Sequence, residues 1–173
     1  MDAAPAPHEN DRRQAPHPRS GIFLFRDASA DAVAQAIQAF GAVARPYAVP
    51  ALWPFWEYPA AAEPRLQLHL IDGIAEYEID LLAGTYLSWW LPLKAALGTD
   101  PACALQVQLA DGEAAAGTVS RLAIFLLGQY GGIVQDDNSA HAWTLDEIRA
   151  EAVSDGYRFF QPRRLENSDA GDH

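Results

Sequence analysis

A chain of 173 residues, 50% of them apolar, with 12 Lys and Arg against 23 Asp and Glu and a formal net charge of −11, reads as one soluble acidic domain whose core needs no disulfide or metal staple. Its single cysteine, Cys103, excludes an internal disulfide framework and a multi-cysteine zinc site. One lysine and eleven thinly spread arginines lack the basic stripe that phosphate recognition requires, so no nucleic-acid partner is expected.

The chain divides into three parts. Residues 1–20, with Pro5, Pro7, Pro16 and Pro18 among polar side chains, read as a disordered leader without the apolar run of a secretory signal. Residues 21–161 form a single α+β domain, and residues 162–173 a flexible polar tail. No stretch is long and clean enough to span a bilayer, which implies no membrane partner and a cytoplasmic location. Residues 27–161 hold 17 acids and six bases and so carry the whole −11. The negative field therefore belongs to the folded body.

Ile22-Phe23-Leu24-Phe25 reads as a buried first strand. Ser29 or Asp31 then caps a helix with Val33, Ile37 and Phe40 on one face, and Gly41 stops it. From Arg45 to Pro64 five prolines interrupt five aromatics, which excludes a regular central element. Leu66, Leu68 and Leu70 alternate with polar residues up to Asp72-Gly73, and Ile74 to Leu81 alternates again, predicting a hairpin. A partly helical stretch from Leu82 to Leu97, with Pro92 at a start or kink, ends at Gly98.

Leu105, Val107 and Leu109 alternate with Gln106, Gln108 and Ala110 in a further strand. Val119, Leu122, Ala123, Leu126, Leu127 and Tyr130 then mark the clearest helix, closed by Gly131-Gly132 ahead of a short strand at Ile133-Val134. Thr144 and Glu147 form a capping box, with Trp143 stapling onto Ile148, and predict a helix from Leu145 to about Val153. Tyr157, Phe159 and Phe160 return to the core as a docked segment or edge strand. This order predicts a two-layer α+β sandwich with an antiparallel or mixed sheet and helices on one face, ferredoxin-like with an insertion. A doubly wound sheet fits less well, because no Gly-rich phosphate loop follows the first strand.

Glu76, Glu78 and Asp80 would share one face of a strand, making a row of carboxylates that could meet a basic partner or hold a cation, although a solvated strand face accounts for the same pattern. Asp136 and Asp137 follow the last strand, where a turn explains them equally. His69 and His141 are too far apart to suggest chelation, Cys103 has no basic neighbour in sequence, and Ser88 and Ser120 lack a nucleophile-elbow context. The segment Trp53 to Tyr58 packs four aromatics between prolines, as a lid over the core or as interface anchors. No catalytic residues, metal or cofactor are assigned. Trp53, Trp56, Tyr58, Glu76, Glu78, Asp80, Asp136 and Asp137 are the candidate partner-binding residues.

The segments Leu93-Lys94-Ala95-Ala96-Leu97-Gly98, Gln129-Tyr130-Gly131-Gly132-Ile133-Val134-Gln135-Asp136 and Trp143-Thr144-Leu145-Asp146-Glu147-Ile148 resemble small bacterial immunity proteins encoded beside polymorphic toxins of contact-dependent or type VI secretion. That resemblance implies a protein that binds a cognate toxin and covers its active site. An acidic body would be drawn to a basic, nuclease-like toxin domain. The alternatives are a small metal-dependent hydrolase or transferase using Glu76, Glu78, Asp80 and Asp136, and a non-inhibitory adaptor using the Trp53 to Tyr58 loop.

Overall fold

The first strand is apolar at four successive positions, the signature of a strand covered on both sides. In the computed structural model, which describes residues 19–44, 55–58, 66–75, 77–78, 87–109 and 116–161, β1 (Ser20–Phe25) is an inner strand buried on both faces. The leader through Pro18, the tail from Pro162, Trp53, Glu76 and Asp80 lie outside the described residues.

After β1, Ser29 accepts a hydrogen bond from the Ala32 amide and starts α1 (Ala30–Phe40), and Gly41 at φ +121° ends it. The chain continues through β2 (Val43–Ala44), β3 (Phe55–Tyr58) and β4 (Leu66–Ile71) to α2 (Leu87–Leu97) and β5 (Cys103–Leu109). It closes with α3 (Ala116–Tyr130), β6 (Gly132–Asp136), α4 (Leu145–Arg149) and the short hairpin β7 (Val153–Ser154) and β8 (Tyr157–Arg158).

Six strands form one sheet in the order β2-β3-β4-β5-β1-β6, every neighbouring pair antiparallel. Strands β5 and β6 therefore run parallel on either side of β1, with α3 as their crossover. Strands β1 and β4 likewise flank β5, with α1 and the added β2–β3 pair between them in sequence. This is the expected two-layer α+β sandwich with an antiparallel sheet. Phe23, Phe25, Leu68, Leu105, Val107 and Val134 on one sheet face pack with Val33 and Ile37 of α1, Val119, Leu122 and Leu126 of α3, and Ile148 of α4.

Helix α2 departs from the expectation of helices on one face alone. Trp90, Leu93 and Leu97 pack on the opposite sheet face, against Ile22, Leu24, Ile71, Ala104 and Ile133. These helix positions at i, i+3 and i+7 form one stripe despite Pro92 within the helix.

Three local expectations change. The hairpin predicted across Asp72-Gly73 is absent: β4 pairs with β3 and β5, and residues 74–75 and 77–78 are helical, with the Tyr77 amide donating to the Gly73 carbonyl at 3.0 Å. Ile74 and Tyr77, three apart, both pack against the α2 cluster, and that burial decides against a strand. The proline-rich region, expected to hold no regular element, supplies β3, which pairs with β2 just ahead of that region and extends the sheet beyond β4 toward its margin, where prolines are tolerated. Helix α4 stops at Arg149, because Glu151 turns to φ +51° and Asp155-Gly156, at φ +53° and +83°, forms the two-residue turn joining β7 to β8.

The capping box is present in full, with Thr144 Oγ1 accepting from the Glu147 amide and Glu147 Oε2 accepting from the Thr144 amide. Because α4 is so short, the cap is a large share of its local support. Thr144→Ala is expected to cost about 1 kcal/mol, read as a melting-temperature drop of about 2–4 °C. An unchanged melting temperature would show that α4 is held by Ile148 packing alone.

Candidate functional site

Register brings together residues that are distant in sequence. Ile22 of β1 lies opposite Gln106 of β5 on one side and Gln135 of β6 on the other. Alternation points all three away from α1 and α3, on the face that α2 covers only in part. Among the described residues the part left open is a cleft of about 440 Å³ whose floor is this row together with Ser20 and Gly21. Trp89 of α2 and Tyr77 of the 74–78 turn line it, and Asp136, Asp137, Ser139 and Ala140 border it after β6.

The aromatic residues are fixed by the packing of α2. Trp90 is fully buried and meets Tyr77 and Trp89 edge to face, at centroid distances of 5.3 and 5.8 Å. Its indole N–H donates to Glu78 Oε1 at 3.0 Å, and Lys94 Nζ donates to the same oxygen at 2.6 Å. The Lys94 hydrogen bond, aided by Trp90, holds the Glu78 carboxyl below its ordinary value. Glu78 thus latches the 74–78 turn onto α2, which leaves Trp89 half-buried beside the floor.

The candidate residues that the structure describes, Trp56, Tyr58, Glu78, Asp136 and Asp137, do not share one surface. Glu78 is helical and committed to α2, not placed on a strand, and Glu76 and Asp80 lie outside the described residues. Trp56 is buried in the main core and Tyr58 packs its ring on Phe40 at 5.0 Å, so the described part of the aromatic segment lies on the core side. Asp136 is buried: Oδ2 accepts from the Phe160 amide at 2.8 Å and Oδ1 from the Asn138 amide at 3.1 Å. Asp137 is exposed at the cleft border and accepts from the Arg19 amide through both oxygens, at 3.2 and 3.3 Å.

Other chemistry-bearing groups also have structural partners. The Cys103 thiol donates to the Ala28 carbonyl at 3.3 Å, and burial, reinforced by the Asp72 charge, pushes its pKa up to about 12, so it is protonated at neutral pH. His141 Nε2 meets Glu147 Oε1 at 3.0 Å, joining the loop before α4 to the capping box. His69 lies opposite Gln106 on the cleft-side face, and burial lowers its pKa. Among the described residues no three His, Cys, Asp or Glu side chains gather as a metal site, and no helix is long and apolar enough to cross a membrane.

Burial raises the Asp136 carboxyl above its ordinary 3.8, against the pull of the Phe160 and Asn138 amides. The folded state consequently holds this proton more tightly than the unfolded chain, and the stability so gained is lost as pH rises through the raised value. Asp136→Ala leaves two amides without their acceptor and is expected to cost about 1–3 kcal/mol. The deficit against the unsubstituted protein should be largest at acid pH and narrow as pH rises through that range, as read by urea titrations; a deficit that widens instead would contradict this assignment.

Sequence reasoning missed the cleft because its floor is assembled from three strands. The local signal was present, since alternation placed Gln106 opposite the core-facing Leu105 and Val107, but nothing local paired it with Ile22 or Gln135. Comparison of the chain with family models, curated proteins and solved structures finds no match.

Proposed function

We propose that this protein is an immunity-type binder that captures a basic, secreted antibacterial toxin domain and covers its active site. The observation that carries the reading is the use made of the acidic side chains. Asp136, Glu78 and Glu147 are engaged in holding the fold, whereas Asp27, Asp31 and Asp72 are exposed beyond the ends of β1 and β4. Carboxylates left in solvent on a body of net charge −11 attract a cationic partner and speed its encounter. The hydrolase reading would instead use Glu76, Glu78, Asp80 and Asp136, of which Glu78 and Asp136 are tied to groups within the fold and Glu76 and Asp80 lie outside the described residues.

Two segments that carry the immunity-protein resemblance also form one physical unit. Val134 and Trp143 exchange backbone hydrogen bonds at 3.0 and 2.7 Å, which docks the Trp143–Ile148 segment along β6.

The test is co-expression of the full chain with the product of the adjoining gene. A stoichiometric complex, rescue of growth, and an association rate that falls by about tenfold or more from low to high salt are expected. A partner that stays uncomplexed while the chain is folded and in excess would overturn the proposal.

A further inference from the structure

The cleft contains a polar group whose hydrogen-bonding capacity the fold does not use. Gln135 is only 8% exposed and lines the cavity, and its carboxamide has no partner among the described residues. A carboxamide offers one acceptor oxygen and two N–H donors, and Gln135 turns toward the cleft that it lines. Gln106 presents a second carboxamide on the far side of Ile22, two strands and so roughly 10 Å away across the sheet. Trp89 provides a half-buried indole beside this floor, and Asp137 places an exposed carboxylate at the border.

We propose that this cleft is the receptor for one arginine side chain presented by a basic protein partner, its guanidinium stacked on Trp89, hydrogen-bonded to the carboxamide oxygens of Gln135 and Gln106, and neutralised by Asp137. The inference rests on the binding reading above and adds the contact through which it acts. A guanidinium is planar, always charged and bears five N–H donors, so it can stack and donate in several directions at once. Lysine offers a compact charge that stacks less well and is more strongly hydrated. An anionic ligand would meet the adjacent Asp136 and Asp137, and a neutral one would make no use of the carboxylate at the border. The acidic body adds long-range attraction for the same cation.

The experiment uses the full-length ¹⁵N-labelled protein and follows the tryptophan indole N–H resonances, with Trp89 assigned through Trp89→Phe. N-acetyl-L-arginine amide is the probe; the lysine and leucine analogues and methyl glucoside, at matched ionic strength, are the comparisons. A saturable Trp89 shift with the arginine probe is expected, weaker by about tenfold in Asp137→Asn and in Gln135→Leu, each checked for an unchanged melting temperature. Absence of saturation, an equal response to the leucine analogue, or preference for the glucoside would overturn the proposal. No partner protein enters this titration, so failure of co-purification would remove the binder reading and leave the titration standing. A toxin complex of undiminished affinity in both variants would do the reverse.

Discussion

Gly132→Ala is expected to cost at least about 3 kcal/mol and, in a domain of ordinary stability, to leave much of the protein unfolded. Gly132 begins β6 at φ +130°, directly opposite Phe25, and a Cβ there would lie 2.1 Å from the Leu24 carbonyl oxygen and 3.1 Å from its carbon. The obstacle is backbone, so no rotamer change relieves it. Strand β1 cannot retreat either, because it is paired to β5 on its other side. The neighbouring Gly131, at φ +63°, has open space around its Cβ position, so Gly131→Ala should cost only the left-handed conformation, about 1–2 kcal/mol. Urea unfolding of the two variants side by side separates the mechanisms. Equal losses would mean that β6 can enter the sheet without the close approach to Leu24.

The pair Gly131-Gly132 shows what was legible in the sequence. As a helix stop it could be read directly, in the same way as Ser29, Gly41 and the Thr144–Glu147 box, because each acts through bonds within a few residues. The apolar stripe of α3 was equally plain, since Val119, Leu122, Ala123, Leu126 and Leu127 needed only one buried face. The reading failed at residues 74–75 and 77–78, where alternation of acids with apolar residues is ambiguous in so short a span. Tertiary packing resolved it: Ile74 and Tyr77 pack in the Trp90 cluster, and Glu78 bonds Trp90 and Lys94.

The second layer of burial was partly announced by β1. Ile22 and Leu24 cannot face the same side as Phe23 and Phe25, so four consecutive apolar residues imply cover on both faces. The sequence did not show that α2 provides that cover, nor that it stops short of Gln106 and Gln135. Both depend on strand register, a non-local property. The cleft is consequently the least legible feature of the chain: local pattern identified the strands of Ile22, Gln106 and Gln135, but it assigned Ser20 to the leader, whereas β1 begins there.

Trp90→Ala is expected to cost about 3–5 kcal/mol, because the side chain is fully buried, joins α2 to Tyr77 and Glu78, and packs edge to face with Trp89. Trp90→Phe should keep much of the apolar burial and lose the indole hydrogen bond, at about 1 kcal/mol beyond any packing defect. Its deficit carries a pH signature. The Lys94 and Trp90 hydrogen bonds hold the Glu78 carboxyl low, so the stability they confer is present above the ordinary carboxylate value and lost as pH falls through the depressed one. The gap between the unsubstituted protein and Trp90→Phe should therefore shrink in acid, opposite in sense to the loss on raising pH expected from Asp136. Trp89→Ala removes a half-buried wall of the cleft and should alter stability far less than Trp90→Ala. If Trp89→Ala instead destabilises as much as Trp90→Ala in urea melts, α2 is held by both indoles, and Trp89 is not free to serve as a stacking surface.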